Sequence, residues 1–373
     1  MKKKSREMRI LFLSNHDTCI YNIRLEILMA LMESGHEVII SSPNGTKIEA
    51  LKALGCSYIE TEFNNRATSI KEDLLLIRQY RKVIRTTQPD VVLTYMIKPN
   101  IYGGIAARKE KIPVIANITG LGTALHNKGL SQKVIITLYR FAFKKVHLVF
   151  FQNEGNFNFF KQKRIICERG KLLPGSGVNL VKFSPLPYPD DKVVNFVFIA
   201  RIMKDKGIDH YLEAAKVIGA EDKNAKFYLC GTCDDAYVEI LNKYQAAGII
   251  AYLGVVEDIR DIYKMMHCTV LPSYHEGLSN VLLESAACAR PNITTNVNGC
   301  KEVVENGITG IIVEAKSTQS LISGIRRFLT LNRDKREKMG KNGRLKVEKE
   351  FDRQVVVNAY LEAVSTINQI RKN

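Results

Sequence analysis

The most informative part of this chain reads Pro272-Ser-Tyr-His-Glu-Gly-Leu-Ser-Asn-Val-Leu-Leu-Glu284. The apolar run 268–271 before it predicts a buried strand, and a helix is expected to begin near Asn280. The free backbone N–H groups and the positive dipole end of such a helix suit a phosphate. Glu276 and Glu284 flank this anion site, where carboxylates are best placed to accept hydrogen bonds from hydroxyl groups. The stretch therefore predicts a bound anion with a polyol at each end, which is the layout of a nucleotide-sugar.

Length and composition predict a globular protein of two α/β domains. The chain has 373 residues, of which 46% are hydrophobic and 25% are charged. Its net charge of +17 predicts an anionic partner, which is a nucleic acid, a phosphorylated substrate or an acidic membrane surface. The eight cysteines are scattered, so a reducing cytoplasm is expected. The apolar run 10–13 is too short for a signal peptide or a membrane span, so any membrane contact is expected to be peripheral.

Buried apolar runs alternate with helical patterns along the chain, which predicts parallel sheets with helices on both faces. In the first half the predicted strands are residues 9–14, 38–42, 57–60, 91–95, 113–117 and 148–152. In the second half they are 195–200, 226–230, 250–253, 268–271, 292–295 and 311–313. A run rich in proline and glycine at 173–189 separates the halves. The expected domains are therefore 1–173 and 195–354, with a linker at 174–194 and a helical end of the chain from Ser317.

Two basic residues follow the first predicted strand of the second half. Arg201 and Lys206 lie in the loop Ala200-Arg-Ile-Met-Lys-Asp-Lys-Gly207, at the carboxyl end of a strand, where such sheets bind ligands. Cleavage of a nucleoside diphosphate-sugar requires the leaving diphosphate to be neutralised, by a metal ion or by a fixed Arg and Lys pair. The sequence has no Asp-x-Asp motif or His-rich set that predicts a metal site. Two solvated basic residues in a loop remain the alternative.

These motifs resemble the donor site of the retaining glycosyltransferases of family 4. The resemblance implies a GT-B fold, in which two Rossmann-like domains face an interdomain cleft, and it implies no cofactor and no metal. It also implies that Glu276 contacts the transferred sugar, that Glu284 holds the ribose, and that the last helix, 355–373, crosses back onto the first domain. The residues expected to be catalytic are Arg201, Lys206 and Glu276. The other residues expected at the donor site are Gly231, Gly277, Leu278, Ser279 and Glu284. An ordinary strand-loop-helix unit with solvated glutamates is the alternative.

The first half refines the resemblance. Its loop Asn117-Ile-Thr-Gly-Leu-Gly-Thr123 has Thr119 and Gly120 where most family members carry a histidine, so the histidine's role does not transfer. This loop, together with Lys98-Pro-Asn-Ile-Tyr-Gly103 and Leu173-Pro-Gly-Ser-Gly-Val-Asn179, resembles a subgroup that extends polyprenyl-diphosphate-linked sugars in O-antigen, capsule and protein glycan assembly. The closest known type transfers N-acetylgalactosamine. The expected acceptor residues are Asn15, His16, Lys98, Asn100, Thr119, Gly120 and Gly122.

The resemblance runs over essentially the whole chain and implies sugar transfer from a UDP-sugar to a lipid-linked acceptor. The expected location is the inner face of the cytoplasmic membrane, and in this family the leaving phosphate accepts the proton of the acceptor. A nucleotide-sugar epimerase or an anionic polyol transferase on the same fold is an alternative. A basic nucleic-acid-binding protein is another, but the sequence lacks an aromatic stacking signature or zinc-finger spacing, so no nucleic acid is expected.

Three further features allow two interpretations each. Arg78, Arg81, Lys82 and Arg85 share one face of the helix predicted at 70–87, which suits either an anionic membrane or solvent, and the aromatic and basic residues at 157–164 are a second membrane candidate. Cys230-Gly-Thr-Cys233 resembles a thioredoxin-like site, but we favour a tight turn at Gly231. The last feature is a pair of histidines near strand ends, His16 and His126. Each one either contacts a ligand or is merely structural.

Overall fold

The computed structural model describes residues 7–62, 69–121, 129–166, 168–190 and 192–370. It divides into two compact units, Met1–Ser176 with Gln354–Asn373, and Gly177–Arg353. Each unit contains one sheet, and every strand pair within the described ranges is parallel. The predicted class, α/β with two Rossmann-like domains, is confirmed.

The first unit has a seven-stranded sheet in the order β3-β2-β1-β4-β5-β6-β7. Its strands are β1 (Arg9–Leu13), β2 (Glu37–Ser42), β3 (Ser57–Glu60), β4 (Val91–Tyr95), β5 (Val114–Ile118), β6 (Leu148–Phe151) and β7 (Gly170–Leu172). The helices that connect them are α1 (Asp17–Glu33), α2 (Ile48–Ala53), α3 (Ile70–Thr87), α4 (Gly104–Lys109), α5 (Leu130–Phe143) and α6 (Glu154–Gln162), and a π-helical turn, Pro99–Gly103, precedes α4.

The core of the first unit has two layers, one on each face of the sheet. Alternate residues of a strand point to opposite faces, so Leu11 and Leu13 of β1 enter one layer, and Ile10 and Phe12 enter the other. Helices α3 to α6 cover the first layer, and α1 and α2 cover part of the second. Because both faces are buried, the strands read as continuous apolar runs, which is why sequence analysis finds them.

The second unit has a six-stranded sheet in the order β10-β9-β8-β11-β12-β13. Its strands are β8 (Val194–Ile199), β9 (Ala225–Cys230), β10 (Ala251–Tyr252), β11 (Cys268–Leu271), β12 (Asn292–Thr295) and β13 (Gly310–Val313). Its helices are α7 (Ile208–Glu221), α8 (Val238–Ala246), α9 (Ile259–Met265), α10 (Asn280–Ala287), α11 (Thr318–Leu329) and α12 (Arg333–Glu350). The proline-rich segment contributes Val178 and Phe183 to the core of this unit.

The last helix, α13 (Arg353–Ile370), packs in the first unit. It completes the second core layer with Val356, Tyr360 and Val364, all of which are buried. The Tyr360 ring lies 4.7 Å from the ring of Phe150, and its hydroxyl accepts a hydrogen bond of 2.7 Å from Asn117 Nδ2. The C-terminal helix is therefore part of the first unit's core.

Candidate functional site

Each sheet reverses its strand order at one pair of neighbouring strands, β1 and β4 in the first unit and β8 and β11 in the second. In open α/β sheets, a crevice forms outside the carboxyl ends of such a pair. The loop that carries Arg201 and Lys206 follows β8, and the loop 272–279 follows β11. The two motifs of the second half therefore meet at this crevice.

The two loops pack directly against each other. Tyr274 N donates a hydrogen bond of 2.9 Å to Asp205 O. Gly207 has a left-handed φ of +77°, and a Cβ atom there would lie 2.1 Å from Pro272 O. A side chain at this position would force the loops apart, so glycine is required for the close approach.

Lys206 and Glu276 make the central contact of the site. Lys206 Nζ lies 2.6 Å from Glu276 Oε1, and the two side chains are 27% and 14% exposed. The same oxygen accepts a hydrogen bond of 2.8 Å from Ser273 Oγ, which fixes the carboxylate. Sequence analysis missed the role of Ser273, although the Pro-Ser dipeptide before the glutamate was a signal. The arrangement offers a cation for a phosphate and a carboxylate for hydroxyl groups at one point.

A third loop, which follows β12, packs against the backbone of Glu276. Gly299 has a φ of +85°, and a Cβ atom there would lie 2.7 Å from the backbone of Glu276. Gly299 O accepts a hydrogen bond of 2.8 Å from Ser279 N. Sequence analysis missed this glycine as well, although Asn298-Gly299 after a strand is a recognised turn signal. The loop after β12 therefore holds the acidic loop in position.

Helix α10 begins at this loop, as the sequence predicted. Ser279 occupies the N-cap position, and its side chain accepts a hydrogen bond from Leu282 N. Gly277 and Leu278, which precede the cap, are buried. The N-terminal end of α10 thus lies next to Glu276 in the sequence and presents a positive dipole end that suits an anion.

Glu284 lies in the second turn of α10 and carries the most perturbed carboxyl group of the site. Burial raises its pKa from the ordinary 4.5 to about 7, although the cations of Arg353 and Lys182 act in the opposite direction. Within the part of the chain that the structure describes, its carboxylate has no hydrogen-bond or ion-pair partner. Glu284 is half-buried, and carboxyl groups whose pKa is raised by loss of solvent are concentrated at functional sites.

Arg201 is more exposed than Lys206 and is held by a different loop. Its Nε atom lies 3.8 Å from Asp234 Oδ1, and its side chain is 55% exposed. Gly231 allows the loop that carries Asp234 to pack against Ala200, because the φ of Gly231 is +137° and a Cβ atom there would lie 2.0 Å from Ala200 O. The Arg201 guanidinium group also contacts Met203 Sδ in its own loop, at 2.9 Å from Nε and 2.7 Å from one Nη atom, so it is held by both loops at the crevice.

Cys230 is the last residue of β9 and Cys233 follows it, and both thiols are free. Burial raises the pKa of both thiols, whereas an activated thiol has a lowered pKa. The free thiols and their raised pKa values both favour a tight turn at Gly231 over a redox site. Among the described residues, no three His, Cys, Asp or Glu side chains come together as a metal site would require.

Four of the residues predicted to bind the acceptor follow strands of the first sheet at its carboxyl edge. Asn15 follows β1, Lys98 follows β4, and Thr119 and Gly120 follow β5. The Asn15 Oδ1 atom is buried and has no hydrogen-bond partner among the described residues, which is unusual for a polar atom and indicates a ligand or water contact. His16 is exposed at the start of α1. Gly122 and His126 fall outside the described residues.

Asn100 has a different position from the other predicted acceptor residues. It is 1% exposed, and its Oδ1 accepts a hydrogen bond of 2.7 Å from Thr94 Oγ1. Its Nδ2 donates a hydrogen bond of 2.9 Å to Asn117 O. Because both ends of the amide are bonded inside the protein, Asn100 ties β4 to β5 beneath the edge.

The basic residues of α3 share one face, as their spacing predicted. Arg78, Arg81, Lys82 and Arg85 line one shallow depression on this helix. Arg81 Nε and Arg85 Nε bind the two oxygens of Glu110 at 2.7 and 3.1 Å, so part of the positive charge is compensated. Within the described ranges, no helix has the length and apolar character needed to cross a bilayer.

The aromatic residues at 157–164 belong to the core. The rings of Phe157 and Phe160 lie 5.3 and 5.2 Å from the ring of Phe151, and Phe160 is fully buried. These contacts explain the aromatic pattern by packing alone.

Two protein-family models match this chain. Residues 9–153 match the model described as Glycosyl transferase 4-like, and residues 182–346 match the model described as Glycosyl transferases group 1. The first range lies in the first unit, and the second range lies in the second unit.

Two curated relatives extend this comparison. The N,N'-diacetylbacillosaminyl-diphospho-undecaprenol alpha-1,3-N-acetylgalactosaminyltransferase of Campylobacter jejuni is 29% identical over 95% of this chain and 98% of its own length. The UDP-Gal:alpha-D-GlcNAc-diphosphoundecaprenol alpha-1,3-galactosyltransferase of Escherichia coli is 27% identical over 70% of this chain and 71% of its own length. These relatives lend no support to the epimerase or nucleic-acid-binding alternatives.

Solved structures show the same fold. Anabaena Alr3699/HepE in complex with UDP-glucose superposes with a TM-score of 0.80 at 17% identity, over 96% of this chain and all of that chain. Sucrose-phosphate synthase from Thermosynechococcus elongatus superposes with a TM-score of 0.79 at 17% identity, over 97% and 99% of the two chains. At this identity the likeness establishes the architecture.

Proposed function

Because the chain belongs to the GT-B glycosyltransferases, with a glycosyl transferase 4-like domain followed by a group 1 domain, we propose that it transfers a sugar from a UDP-sugar to a polyprenyl-diphosphate-linked acceptor with retention of configuration. The observation that carries this proposal is the contact between Lys206 and Glu276 beside the capped N-terminus of α10. A cation, a helix N-terminus and a fixed carboxylate at one point suit the diphosphate and the sugar of such a donor.

The residues of the second unit take separate roles in this proposal. Lys206 and Arg201 neutralise the leaving diphosphate without a metal ion, while Glu276 accepts hydrogen bonds from the transferred sugar. Glu284 accepts hydrogen bonds from the ribose. The bond between the anomeric carbon and the β-phosphate oxygen breaks, and the acceptor oxygen bonds to the same face of the anomeric carbon. The acceptor's proton moves to the leaving phosphate oxygen.

The relatives support the acceptor class more firmly than the donor sugar. By their names, the Campylobacter jejuni and Escherichia coli enzymes both use a diphospho-undecaprenol-linked acceptor, but they transfer N-acetylgalactosamine and galactose respectively. We therefore assign a polyprenyl-diphosphate-linked sugar as acceptor and N-acetylgalactosamine as the first donor sugar to test. Specificity between two such sugars rests on few contacts.

A lipid-linked acceptor places the reaction at a membrane surface. The proposed location is the inner face of the cytoplasmic membrane, with the basic face of α3 as the attachment surface. Arg78 and Lys82 are exposed on this face and have no ion-pair partner among the described residues. Each such cation contributes about 1 kcal/mol near acidic headgroups.

The test is a screen of UDP-sugars with a polyprenyl-diphosphate-linked sugar as acceptor. We expect transfer from one UDP-sugar, with the anomeric configuration of the donor preserved in the product as determined by NMR. UDP should also raise the melting temperature by linkage, whereas an oligonucleotide should not. An inverted linkage would disprove retention, and transfer only to acceptors that lack the lipid diphosphate would disprove the acceptor class.

A further inference from the structure

A groove in the first unit lies at the opposite edge of the sheet from the predicted acceptor residues. It has a volume of about 450 Å³. Its walls come from the turn before β5, the turn before β6, helices α4 and α5, and the last turns of α13. The volume is within the range of sites that bind small molecules, which is roughly 300–1,000 Å³.

The groove combines an apolar wall with a basic rim. The apolar lining residues are Ile112, Pro113, Val114, Ala142, Val146, Ile367 and Ile370. Arg108, Lys111 and Lys145 are the cations of the lining, which contains no Asp or Glu. Ile370 is 60% exposed, so an apolar side chain faces solvent beside these cations. An apolar wall beside cations complements a ligand with an acyl chain and a negatively charged headgroup.

The nearest carboxylate in the sequence does not neutralise this rim. Glu110 lies between Arg108 and Lys111 in the chain, but both of its oxygens bind the arginines of α3. Those arginines hold the pKa of Glu110 below its ordinary value. Lys111 adopts a left-handed φ of 60°, where glycine is usually favoured, yet the chain has a cation there. Arg108 stacks on the Phe141 ring at 3.8 Å and donates a hydrogen bond to Phe141 O, whereas Lys111 and Lys145 are exposed and available to an external anion.

We infer that this groove binds one acyl chain of an anionic phospholipid, with its phosphate on the rim formed by Arg108, Lys111 and Lys145. The inference goes beyond the proposed function, because this lipid is neither the donor nor the acceptor and its site lies at the amino ends of β5 and β6. A lipid held here would add an apolar contact to the purely electrostatic attraction of α3.

The test uses dihexanoyl phosphatidylglycerol as a soluble monomer, titrated into the full chain by calorimetry. We expect one bound molecule per chain. Dihexanoyl phosphatidylcholine, which has the same chains without net charge, should bind more weakly by about tenfold or more. Inorganic phosphate, which lacks the chains, should also bind more weakly by about tenfold or more. If phosphate binds as tightly as the lipid, the rim is only an anion site and the acyl assignment is wrong.

Two variants and a matched control locate the site. Lys111→Gln with Lys145→Gln, and separately Ile370→Ser, should each weaken binding of the short lipid by about tenfold. Arg78→Gln with Lys82→Gln removes the same charge from α3 and should leave this binding unchanged, even where attachment to vesicles falls. Equal loss in the control would show general electrostatic attraction and overturn the inference. A dimer of the chain that dissociates when Ile370 becomes Ser would show that a second copy covers the groove, and would also overturn it.

Discussion

Lys206 Nζ lies 2.6 Å from Glu276 Oε1, so the cation proposed to bind the diphosphate and the carboxylate proposed to bind the transferred sugar contact each other in this structure. The pair orients both side chains before a diphosphate arrives. A phosphate that contacts Lys206 then competes with Glu276 for the ammonium group. We therefore expect donor binding to release Glu276 from Lys206, so that Glu276 can contact the sugar.

Lys206 and Glu276 have different roles in the proposal, so replacing each one should change a different measured quantity. Lys206→Ala should lower kcat by about 10²-fold or more, as the loss of other preorganised charge contacts does. Glu276→Ala should leave UDP affinity nearly intact but weaken binding of the complete UDP-sugar by about 1–3 kcal/mol. Calorimetry with UDP and with the UDP-sugar measures both effects. If Glu276→Ala weakens the two ligands equally, its assigned contact with the sugar is wrong.

Glu284 should make UDP binding depend on pH. Its pKa of about 7 means that the carboxyl group gains a proton as pH falls through neutrality, and a protonated carboxyl accepts hydrogen bonds from ribose hydroxyls less well. UDP affinity should therefore decrease below pH 7, and Glu284→Gln should remove that part of the pH dependence. Glu284→Ala should weaken UDP binding by about 1–3 kcal/mol at pH 8. The pH profile of Glu276→Gln serves as the matched control and should keep the wild-type slope.

The same residue should make the protein less stable at high pH. Its pKa rises from 4.5 in the unfolded chain to about 7 in the folded one, so the folded state binds more protons between these values. The free energy of unfolding should then decrease as pH rises through this window, by up to about 3 kcal/mol from this group. Glu284→Gln should be more stable than wild type at pH 8, with the difference shrinking toward pH 4.5. A urea titration at both pH values measures this, and a constant difference would contradict it.

Turnover should not require a metal ion. In the proposed mechanism Arg201 and Lys206 supply the positive charge for the leaving diphosphate, so EDTA should leave the rate nearly unchanged. Arg201→Ala should lower kcat by about 10²-fold. Activity that EDTA abolishes and Mg²⁺ or Mn²⁺ restores would contradict the assigned charge neutralisation.

Attachment to acidic vesicles should depend on the unpaired cations of α3. Arg78→Gln with Lys82→Gln should weaken sedimentation with phosphatidylglycerol vesicles by about 2 kcal/mol, and added salt should weaken wild-type binding in the same way. UDP binding should remain unchanged, because the donor residues lie in the other unit. Lys226→Gln with Lys243→Gln removes the same charge from the second unit and is the control. Wild-type sedimentation of the α3 variant would identify this face as merely solvated.

Sequence analysis finds the long buried elements well. Strand β11 was predicted at 268–271 and is Cys268–Leu271, and α10 begins at Asn280 as expected. Buried strands and capped helices leave strong local patterns, since both faces of the strand are apolar and the cap is a polar side chain. Two short elements, β7 (Gly170–Leu172) and α9 (Ile259–Met265), were missed, because three and seven residues are too few for a repeating pattern to stand out from its surroundings.

The parts of the site that depend on long-range packing could not be predicted. The proposed donor motif is local, so the spacing of Glu276, Ser279 and Glu284 is enough to propose it from the sequence. By contrast, two features of the site depend on residues far apart in the chain. Gly299 packs against the backbone of Glu276. The cations of Arg353 and Lys182 oppose the rise that burial causes in the pKa of Glu284. The pairing of Arg81 and Arg85 with Glu110 is equally non-local, so the charge available on α3 was overestimated.

The position of Tyr360 has a consequence for biosynthesis. A ribosome releases this residue only after the whole of the second unit has been made, so one face of the first sheet is covered only in part, by α1 and α2, during that time. Domains are usually expected to fold in the order of synthesis, N-terminal first. Here the second unit, Gly177–Arg353, is complete before the first unit receives α13. A nascent chain that stops before residue 354 should therefore retain a folded second unit while its first unit exposes Phe12 and Tyr95 to chaperones and proteases.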